Sequence, residues 1–107
     1  MFDFEGKVVI VTGASGNLGQ AVARAFQGAG AHLVLVDRSA GRLPSLYPDL
    51  ASDQAHYLAG SVDVNDAASV QGMVEKAVHR FERVDVLVSA VGGYRGGTPV
   101  HETPLDV

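Results

Sequence analysis

Cysteine is absent from this 107-residue chain, basic residues are few, and no long apolar run occurs. Without cysteine the chain forms neither disulfides nor thiolate metal sites, which fits a reducing cytoplasmic location. The net charge of -4 leaves no basic patch for nucleic-acid phosphates. No apolar run approaches the roughly 20 residues that span a bilayer, and residues 1–5 lack the basic start of a secretory signal. We expect a soluble cytoplasmic protein that binds neither nucleic acid nor a membrane.

Two common catalytic patterns are also missing. The histidines lie on different predicted elements, with no pair at the i, i+4 spacing of a helical metal site, so no metal ion is expected. Ser89, His101 and Asp106 supply the residue types of a hydrolase triad, but Ser89 does not lie in a Gly-x-Ser-x-Gly turn. Neither metal-dependent nor serine-hydrolase chemistry is therefore predicted.

The most informative stretch covers residues 8–19, which read Val-Val-Ile-Val-Thr-Gly-Ala-Ser-Gly-Asn-Leu-Gly. Lys7–Val11 is predicted to be a buried strand, because a strand covered on both faces is apolar throughout. Gly13, Gly16 and Gly19 follow, and such small residues allow backbone N–H groups to approach a phosphate. The N-terminus of the next helix attracts the same anion. The order of strand, small-residue turn and helix predicts a phosphate-binding turn.

Strands and helices alternate along the chain, which indicates a parallel sheet with right-handed crossovers. We expect an α/β fold of Rossmann type, a doubly wound parallel sheet with about four strands and three helices in strand order 3-2-1-4. The turn after strand one would then face a glycine-rich loop over 89–104. The other predicted elements are strands at His32–Val36, His56–Ala59 and Val84–Val88, helices over 18–29 and 66–81, and a helix of about two turns after Ser39.

Apolar residues at helical spacing predict the inward faces of the two long helices. Gly28 and Gly30 close the first of these helices with a left-handed cap, and Asn65 or Asp66 begins the second. Residues 44–54 are predicted to be a loop, since prolines interrupt them. The predicted faces are Leu18, Val22, Ala25, Phe26 and Ala29 in the first helix, and Val70, Val74, Ala77, Val78 and Phe81 in the second.

Asp37 follows strand two, 18 residues after Gly19. A dinucleotide-binding fold places a carboxylate there to accept hydrogen bonds from the ribose hydroxyls. A carboxylate repels the 2′-phosphate of NADP, so NAD is favoured, but the adjacent Arg38 could reach such a phosphate and keeps NADP open. Asp37 could also serve as a turn residue that caps the next helix.

Four segments together resemble the short-chain dehydrogenase/reductase family: residues 12–19, Asp37, Asp63-Val64 and residues 85–92. The resemblance covers the whole chain but only the N-terminal, cofactor-binding part of the family's domain. It implies that residues 1–107 are an NAD(P)-binding domain, incomplete at the C-terminal side, of an enzyme that transfers hydride between nicotinamide and a carbonyl or alcohol substrate. Full-length members of the family are often homo-oligomers.

By the same resemblance, Asp63 would hold the adenine amino group and Val64 would pack on the adenine ring. Asp63 could otherwise cap the helix that follows. Residues after strand four would line the ribose and nicotinamide. The cofactor-binding residues expected are Gly13, Ser15, Gly16, Asn17, Leu18, Gly19, Asp37, Arg38, Asp63, Val64, Ser89, Ala90 and Gly92.

The chain departs from the family pattern at two places. Asn17 stands where the family has glycine, and asparagine tolerates left-handed backbone better than other non-glycine residues. Residues 89–92 read Ser-Ala-Val-Gly where the family usually has Asn-Asn-Ala-Gly. The glycine spacing also resembles atypical branches of the family, some of which bind the cofactor without catalysis.

The family's catalytic Tyr-x-x-x-Lys does not occur in these residues, so the chain is expected to be inactive alone. It is either the cofactor-binding part of an oxidoreductase or a non-catalytic NAD(P)-binding module. The exposed edge of strand four predicts that the isolated chain aggregates or pairs. The three tyrosines Tyr47, Tyr57 and Tyr94 are followed at the family's spacing by Ala51, Ser61 and Thr98.

Overall fold

Eight elements form the part of the chain that the computed structural model describes, residues 3–90. Four strands make one parallel sheet, and helices connect them. The predicted α/β fold is confirmed: β2 has its predicted bounds, and the bounds of the other strands differ by at most two residues from the prediction. The elements are β1 (Val8–Thr12), α1 (Asn17–Gly28), β2 (His32–Val36), α2 (Arg42–Leu46), α3 (Pro48–Ala51), β3 (Tyr57–Ala59), α4 (Ala67–Phe81) and β4 (Val86–Ser89).

The central strand is β1, and all five of its residues are buried. It pairs with β2 on one side and β4 on the other, and β3 pairs with β2, so the order is β3-β2-β1-β4 as predicted. Thr12, at the end of β1, lies opposite Val36 of β2 and Ser89 of β4. The carboxyl ends of these three strands therefore reach the same edge of the sheet.

Two apolar layers cover the two faces of the sheet, because residues of each strand alternate between them. On one face, α1, α2 and α3 pack over Val9, Val11, Leu33 and Leu35. On the other, α4 packs through Met73 and Ala77 over Val8, Ile10, Val34 and Val36. Within residues 3–90, no helix is long and apolar enough to cross a bilayer.

The prediction of a loop over residues 44–54 is wrong, since α2 and α3 lie there. Pro44 is in the first turn of α2 and Pro48 is the first residue of α3. The N–H groups of a first turn have no partner within the helix, so proline is tolerated at such positions. The segment packs against the core through three fully buried side chains, Leu43, Tyr47 and Leu50.

The predicted inward face of α1 is only partly correct. Val22 and Phe26 pack against the core, but the buried residues of the helix are Gly19 and Ala23. Leu18 is 64% exposed. Because Gly19 has no side chain, the first turn of α1 sits directly on the turn after β1. This close contact turns Leu18 toward solvent.

The left-handed cap of α1 is formed by Gly30 alone, with φ of +93°. The N–H groups of Gly30 and Ala31 donate to the carbonyls of Gln27 and Phe26, at 3.0 and 3.1 Å. This pair of hydrogen bonds defines a Schellman motif. Gly28, the other glycine predicted to close the helix, is its last helical residue.

The face of α4 is largely as predicted. Ala77 is buried, and Val70, Val74 and Phe81 pack against the core. Val78 is 43% exposed instead, and the inward position is taken by Met73, which the periodicity missed. Of the two proposed caps, Asp66 begins the helix, and its carboxylate accepts a hydrogen bond from the Ala68 N–H at 3.0 Å.

Gly19→Ala is expected to lower the free energy of unfolding by about 1–3 kcal/mol. A Cβ at Gly19 would lie 2.8 Å from the Gly13 carbonyl carbon and 2.9 Å from Ala14 Cα, and neither backbone atom can rotate away. Gly72→Ala is the matched control, because the space around this glycine of α4 is open and alanine there should stabilise the helix by roughly 0.5–1 kcal/mol. Urea denaturation measures both; equal stability of Gly19→Ala and wild type would contradict the close contact.

His56 makes stability depend on pH. It is buried, its Nδ1 accepts a hydrogen bond from the Leu33 N–H at 3.0 Å, and burial lowers its pKa. The unfolded chain binds a proton at His56 as the pH falls through about 6.5, whereas the folded chain binds that proton only at lower pH. The contribution of neutral His56 to the free energy of unfolding is therefore complete above about pH 6.5. Below that pH the free energy of unfolding falls by at most about 1.4 kcal/mol per pH unit, until the pKa of His56 in the folded chain is reached. Denaturation of His56→Gln should show a flatter profile between pH 7 and 5; an unchanged slope would contradict this role.

Candidate functional site

The first residues of the loops after β1, β2 and β4 lie at the carboxyl edge of the sheet, and backbone hydrogen bonds hold them in place. The Ala14 N–H donates to the Val36 carbonyl, the Asp37 N–H to the Ala59 carbonyl, and the Ala90 N–H to the Thr12 carbonyl, each at 3.1 Å. Each loop is thereby tied to the end of the neighbouring strand. In doubly wound sheets, ligands bind at this edge.

The fold requires two of the three glycines of the turn after β1, each for a different reason. Gly13 has a φ of +70°, which only glycine adopts without strain. Gly19 leaves no room for a Cβ. Gly16 has an ordinary φ of -80°, and a Cβ added there would meet only the Gly13 carbonyl oxygen, at 3.6 Å. The fold itself would therefore accept a side chain at Gly16, whereas a ligand that touches the backbone there would not.

The left-handed backbone that asparagine was expected to provide at position 17 is not used. Asn17 is the first residue of α1. Among residues 3–90, the non-glycine residues with positive φ are Ser61 and Glu82. With Gly16 as the N-cap, the turn enters the helix without a left-handed residue at position 17, so glycine is not required there.

The first turn of α1 presents unused donors. Within the described part of the chain, no acceptor is hydrogen-bonded to the N–H groups of Asn17, Leu18 and Gly19. The first N–H groups of any helix lack partners within it, and together they form the positive end of the helix dipole. This arrangement suits an anion such as phosphate.

Asp37 extends from the end of β2 toward the glycine turn. Its Oδ1 accepts a hydrogen bond from the Ser15 hydroxyl at 2.7 Å, and its Oδ2 accepts one from the Ser39 N–H at 3.2 Å. It does not cap the next helix, because α2 begins after Gly41 without a side-chain cap. Asp37 thus faces the turn that it was predicted to complete.

Asp63 and Arg38 lie beside Asp37. The Arg38 side chain is 80% exposed, and its Nη2 lies 3.9 Å from Asp63 Oδ2. Asp63 accepts a hydrogen bond from the Asn65 N–H at 2.9 Å, and its own N–H donates to the Ser69 hydroxyl at 3.0 Å. The cap of α4 is Asp66, so the alternative role of Asp63 as a helix cap is wrong.

A cavity of about 140 Å³ lies among the ends of β1, β2 and β3. The glycine turn forms one wall of the cavity. Asp37 and Arg38, which follow β2, and the segment after β3 form the other walls. A larger groove of about 870 Å³ between β3 and α4 contains none of the predicted site residues. The residues that line the smaller cavity are Gly13, Val36, Asp37, Arg38, Val62, Asp63, Val64 and Asn65.

The structure describes two of the three site residues that were predicted after strand four. Ser89 ends β4 opposite Thr12, and Ala90 follows it. Gly92 lies outside the described residues, as do His101 and Asp106 of the excluded triad. Among residues 3–90, no group of three or more histidine, aspartate or glutamate side chains could hold a metal ion.

One residue of this region was missed from the sequence. The Tyr47 hydroxyl donates a hydrogen bond to the Ala14 carbonyl at 2.7 Å, inside the glycine turn. Burial raises the pKa of Tyr47, so the hydroxyl stays protonated and able to donate. The spacing of Leu43, Tyr47 and Leu50, at i, i+4 and i+7, is a helical signal that the neighbouring prolines concealed.

Known proteins resemble this chain over most of its length. A D-threitol dehydrogenase from Mycolicibacterium smegmatis is 39% identical over 93 residues, which are 85% of this chain and 36% of that protein. A meso-2,3-butanediol dehydrogenase from Serratia marcescens is 34% identical over 103 residues, 96% of this chain and 40% of that protein. The chain thus spans well under half the length of these relatives.

Solved structures agree with the sequence relatives. A short-chain dehydrogenase/reductase from Brucella melitensis superimposes with a TM-score of 0.80 at 33% identity, covering 88% of this chain and 39% of that one. A short-chain dehydrogenase/reductase from Burkholderia phymatum in complex with NAD has a TM-score of 0.72 at 34% identity, covering 82% and 31%. The family model of the short chain dehydrogenases matches residues 7–106. The chain therefore belongs to the short-chain dehydrogenase family, and its homologues are dehydrogenases and reductases.

Proposed function

We propose that this chain is the cofactor-binding part of an NAD-dependent oxidoreductase, in which hydride passes between nicotinamide and the carbonyl or alcohol carbon of a small substrate. The observation that carries the proposal is the glycine turn, which exposes helix N–H groups beside a carboxylate at the end of β2. When bound, NAD would supply the carbon that accepts or donates the hydride. The residues below would hold it.

The pyrophosphate would lie over the first turn of α1. The N–H groups of Asn17, Leu18 and Gly19 provide donors there, and Gly16 leaves open space for close approach. Ser15, whose hydroxyl already bonds to Asp37, would lie between the phosphate and ribose positions. The exposed Leu18 side chain would cover the cofactor rather than the protein core.

The adenosine would occupy the smaller cavity. Asp37 would accept hydrogen bonds from the ribose hydroxyls, and Asp63 would accept one from the adenine amino group. Val64 is 40% exposed at the rim, and an apolar side chain there suits the face of the adenine ring. Ser89, Ala90 and Gly92 would line the ribose and nicotinamide on the β4 side.

NAD is preferred over NADP in this proposal. Asp37 would place a carboxylate beside a 2′-phosphate, where like charges repel. Arg38 is the nearest cation, but it lies 3.9 Å from Asp63, which competes for it. The alternative, in which Arg38 turns to a 2′-phosphate, requires this exposed side chain to leave Asp63.

The whole protein would be a cytoplasmic homo-oligomer that acts on a small carbonyl or alcohol compound. Within residues 3–90, β4 forms an edge of the sheet, and Val84 and Leu87 expose more than a third of their surface near it. Such an apolar edge favours further packing. The alternative is a non-catalytic NAD(P)-binding module, which is consistent with the absence of Tyr-x-x-x-Lys from these 107 residues.

Titration with NADH and NADPH, followed by nicotinamide fluorescence, tests the cofactor preference. We expect wild type to bind NADH at least about tenfold more tightly than NADPH, because one unfavourable charge contact near the surface readily exceeds about 1.4 kcal/mol. Asp37→Asn should bring the two affinities closer together, since it removes the charge and keeps an oxygen for Ser15. Arg38→Ala tests the alternative and should leave the preference for NADH in place, because the exposed Arg38 side chain lies beside Asp63. Preferential binding of NADPH would contradict the assignment, and binding of neither would contradict the proposed function.

The 107-residue chain should bind NADH without catalysing hydride transfer. Its three tyrosines lack a lysine four residues later, and the family's chemistry needs that lysine to lower the pKa of the tyrosine. The measurement is NADH formation at 340 nm with NAD and a panel of small alcohols and diols. Turnover by this chain would show that another group accepts the hydroxyl proton of the alcohol.

A further inference from the structure

Tyr47 lies between α2 and α3, 33 residues from the turn that it touches. Its side chain is 1% exposed and fills the core beneath the glycine turn. Its hydroxyl donates to the Ala14 carbonyl at 2.7 Å. Within residues 3–90, no other donor is hydrogen-bonded to this carbonyl. A buried carbonyl without a donor is unfavourable, so this hydrogen bond keeps the turn in its present conformation.

The hydrogen bond also sets the direction of a donor on the other side of the turn. In a planar trans peptide, the carbonyl and the N–H point in opposite directions. Because the Ala14 carbonyl points inward to Tyr47, the Ser15 N–H of the same peptide points away from the core. The neighbouring carbonyls are held too, since Gly13 accepts from the Gly16 N–H at 3.1 Å and Ser15 accepts from Gln20 Nε2 at 3.0 Å.

The Tyr47 ring is itself fixed by charged residues. The guanidinium of Arg24, on α1, lies 4.8 Å from the ring centroid, and a cation over an aromatic face is attracted to it. Arg24 also makes two hydrogen bonds to the carboxylate of Asp49 on α3, at 2.9 and 3.1 Å. The helix that follows the turn and the segment that carries Tyr47 are thus held together around the ring.

We propose that Tyr47 is a positioning residue for cofactor binding, which holds the turn over residues 13–16 in the conformation that presents the Ser15 N–H to the pyrophosphate. This role rests on the proposed function. It differs from catalysis, because the hydroxyl faces the protein and touches the turn rather than the ligand. It also makes α2 and α3 part of the cofactor site without any contact to the cofactor.

Tyr47→Phe tests the proposal, with Tyr57→Phe as the matched control. Both variants keep the ring, but no hydrogen bond is present at the Tyr57 hydroxyl among the described residues. We expect Tyr47→Phe to weaken NADH binding about tenfold, since the turn is no longer held in its binding conformation. Amide hydrogen exchange without cofactor should become faster at Ala14 and Gly16, whose N–H groups are hydrogen-bonded within or beside the turn. Tyr57→Phe should change neither quantity.

Leu50→Ala separates positioning from general loss of stability. This leucine is buried in the same segment but makes no hydrogen bond to the turn. It should lower the melting temperature while NADH affinity at a temperature well below unfolding stays within twofold of wild type. If Tyr47→Phe did not fold, Arg24→Gln would take its place, because Arg24 is partly exposed and steadies the ring; about threefold weaker NADH binding is then expected.

Unchanged NADH affinity in Tyr47→Phe would overturn the proposal, and so would an equal loss in Leu50→Ala. If Arg24→Gln is the variant tested, unchanged affinity overturns it as well. The proposed function fails separately, by the absence of NADH and NADPH binding in wild type. In that case, faster amide exchange at Ala14 and Gly16 in Tyr47→Phe would still support the role of Tyr47 in holding the turn, and unchanged exchange would contradict it.

Discussion

The contact between the first turn of α1 and the turn after β1 is the constraint on which the site depends. Gly19 lies so close to Gly13 and Ala14 that no side chain fits between them. This approach places the N-terminus of α1 at the carboxyl edge of the sheet, where its free N–H groups face the crevice. It also orients the rest of α1, so that Ala23 is buried and Leu18 is exposed. The packing of the helix and the position of its N-terminal N–H groups are therefore consequences of one contact.

The crevice is built mainly by backbone hydrogen bonds, and few side chains complete it. The loops after β1, β2 and β4 each donate to the end of a neighbouring strand, so the positions where these loops begin follow from the register of the sheet. Asp37 and Asp63 add the negative groups, and both carboxylates accept hydrogen bonds that orient them.

The segment over residues 42–51 contributes more than its position in the sequence suggests. Its helices are short, but Tyr47 connects them to the glycine turn, and Arg24 and Asp49 connect them to α1. The ion pair is partly exposed, and such pairs contribute little to stability alone. Its value here is geometric, because it keeps Arg24 above a buried ring whose hydroxyl reaches the turn.

The sequence alone determined the strand order, the glycine turn, the place of Asp37 at the end of β2, and the family. These depend on local patterns, namely continuous apolar strands, small residues and one carboxylate at a fixed spacing. The sequence predicted the short helix after Ser39, found as α2, but it missed the helix at Pro48–Ala51, since prolines obscured a spacing whose burial depends on the distant α1. It also placed Leu18 and Val78 in the core, because periodicity defines an apolar stripe but not how the helix is rotated about its axis when it packs on the sheet. Only the tertiary structure decided this rotation and showed the hydrogen bond from Tyr47 to the glycine turn, since both arise from contacts between residues far apart in the chain.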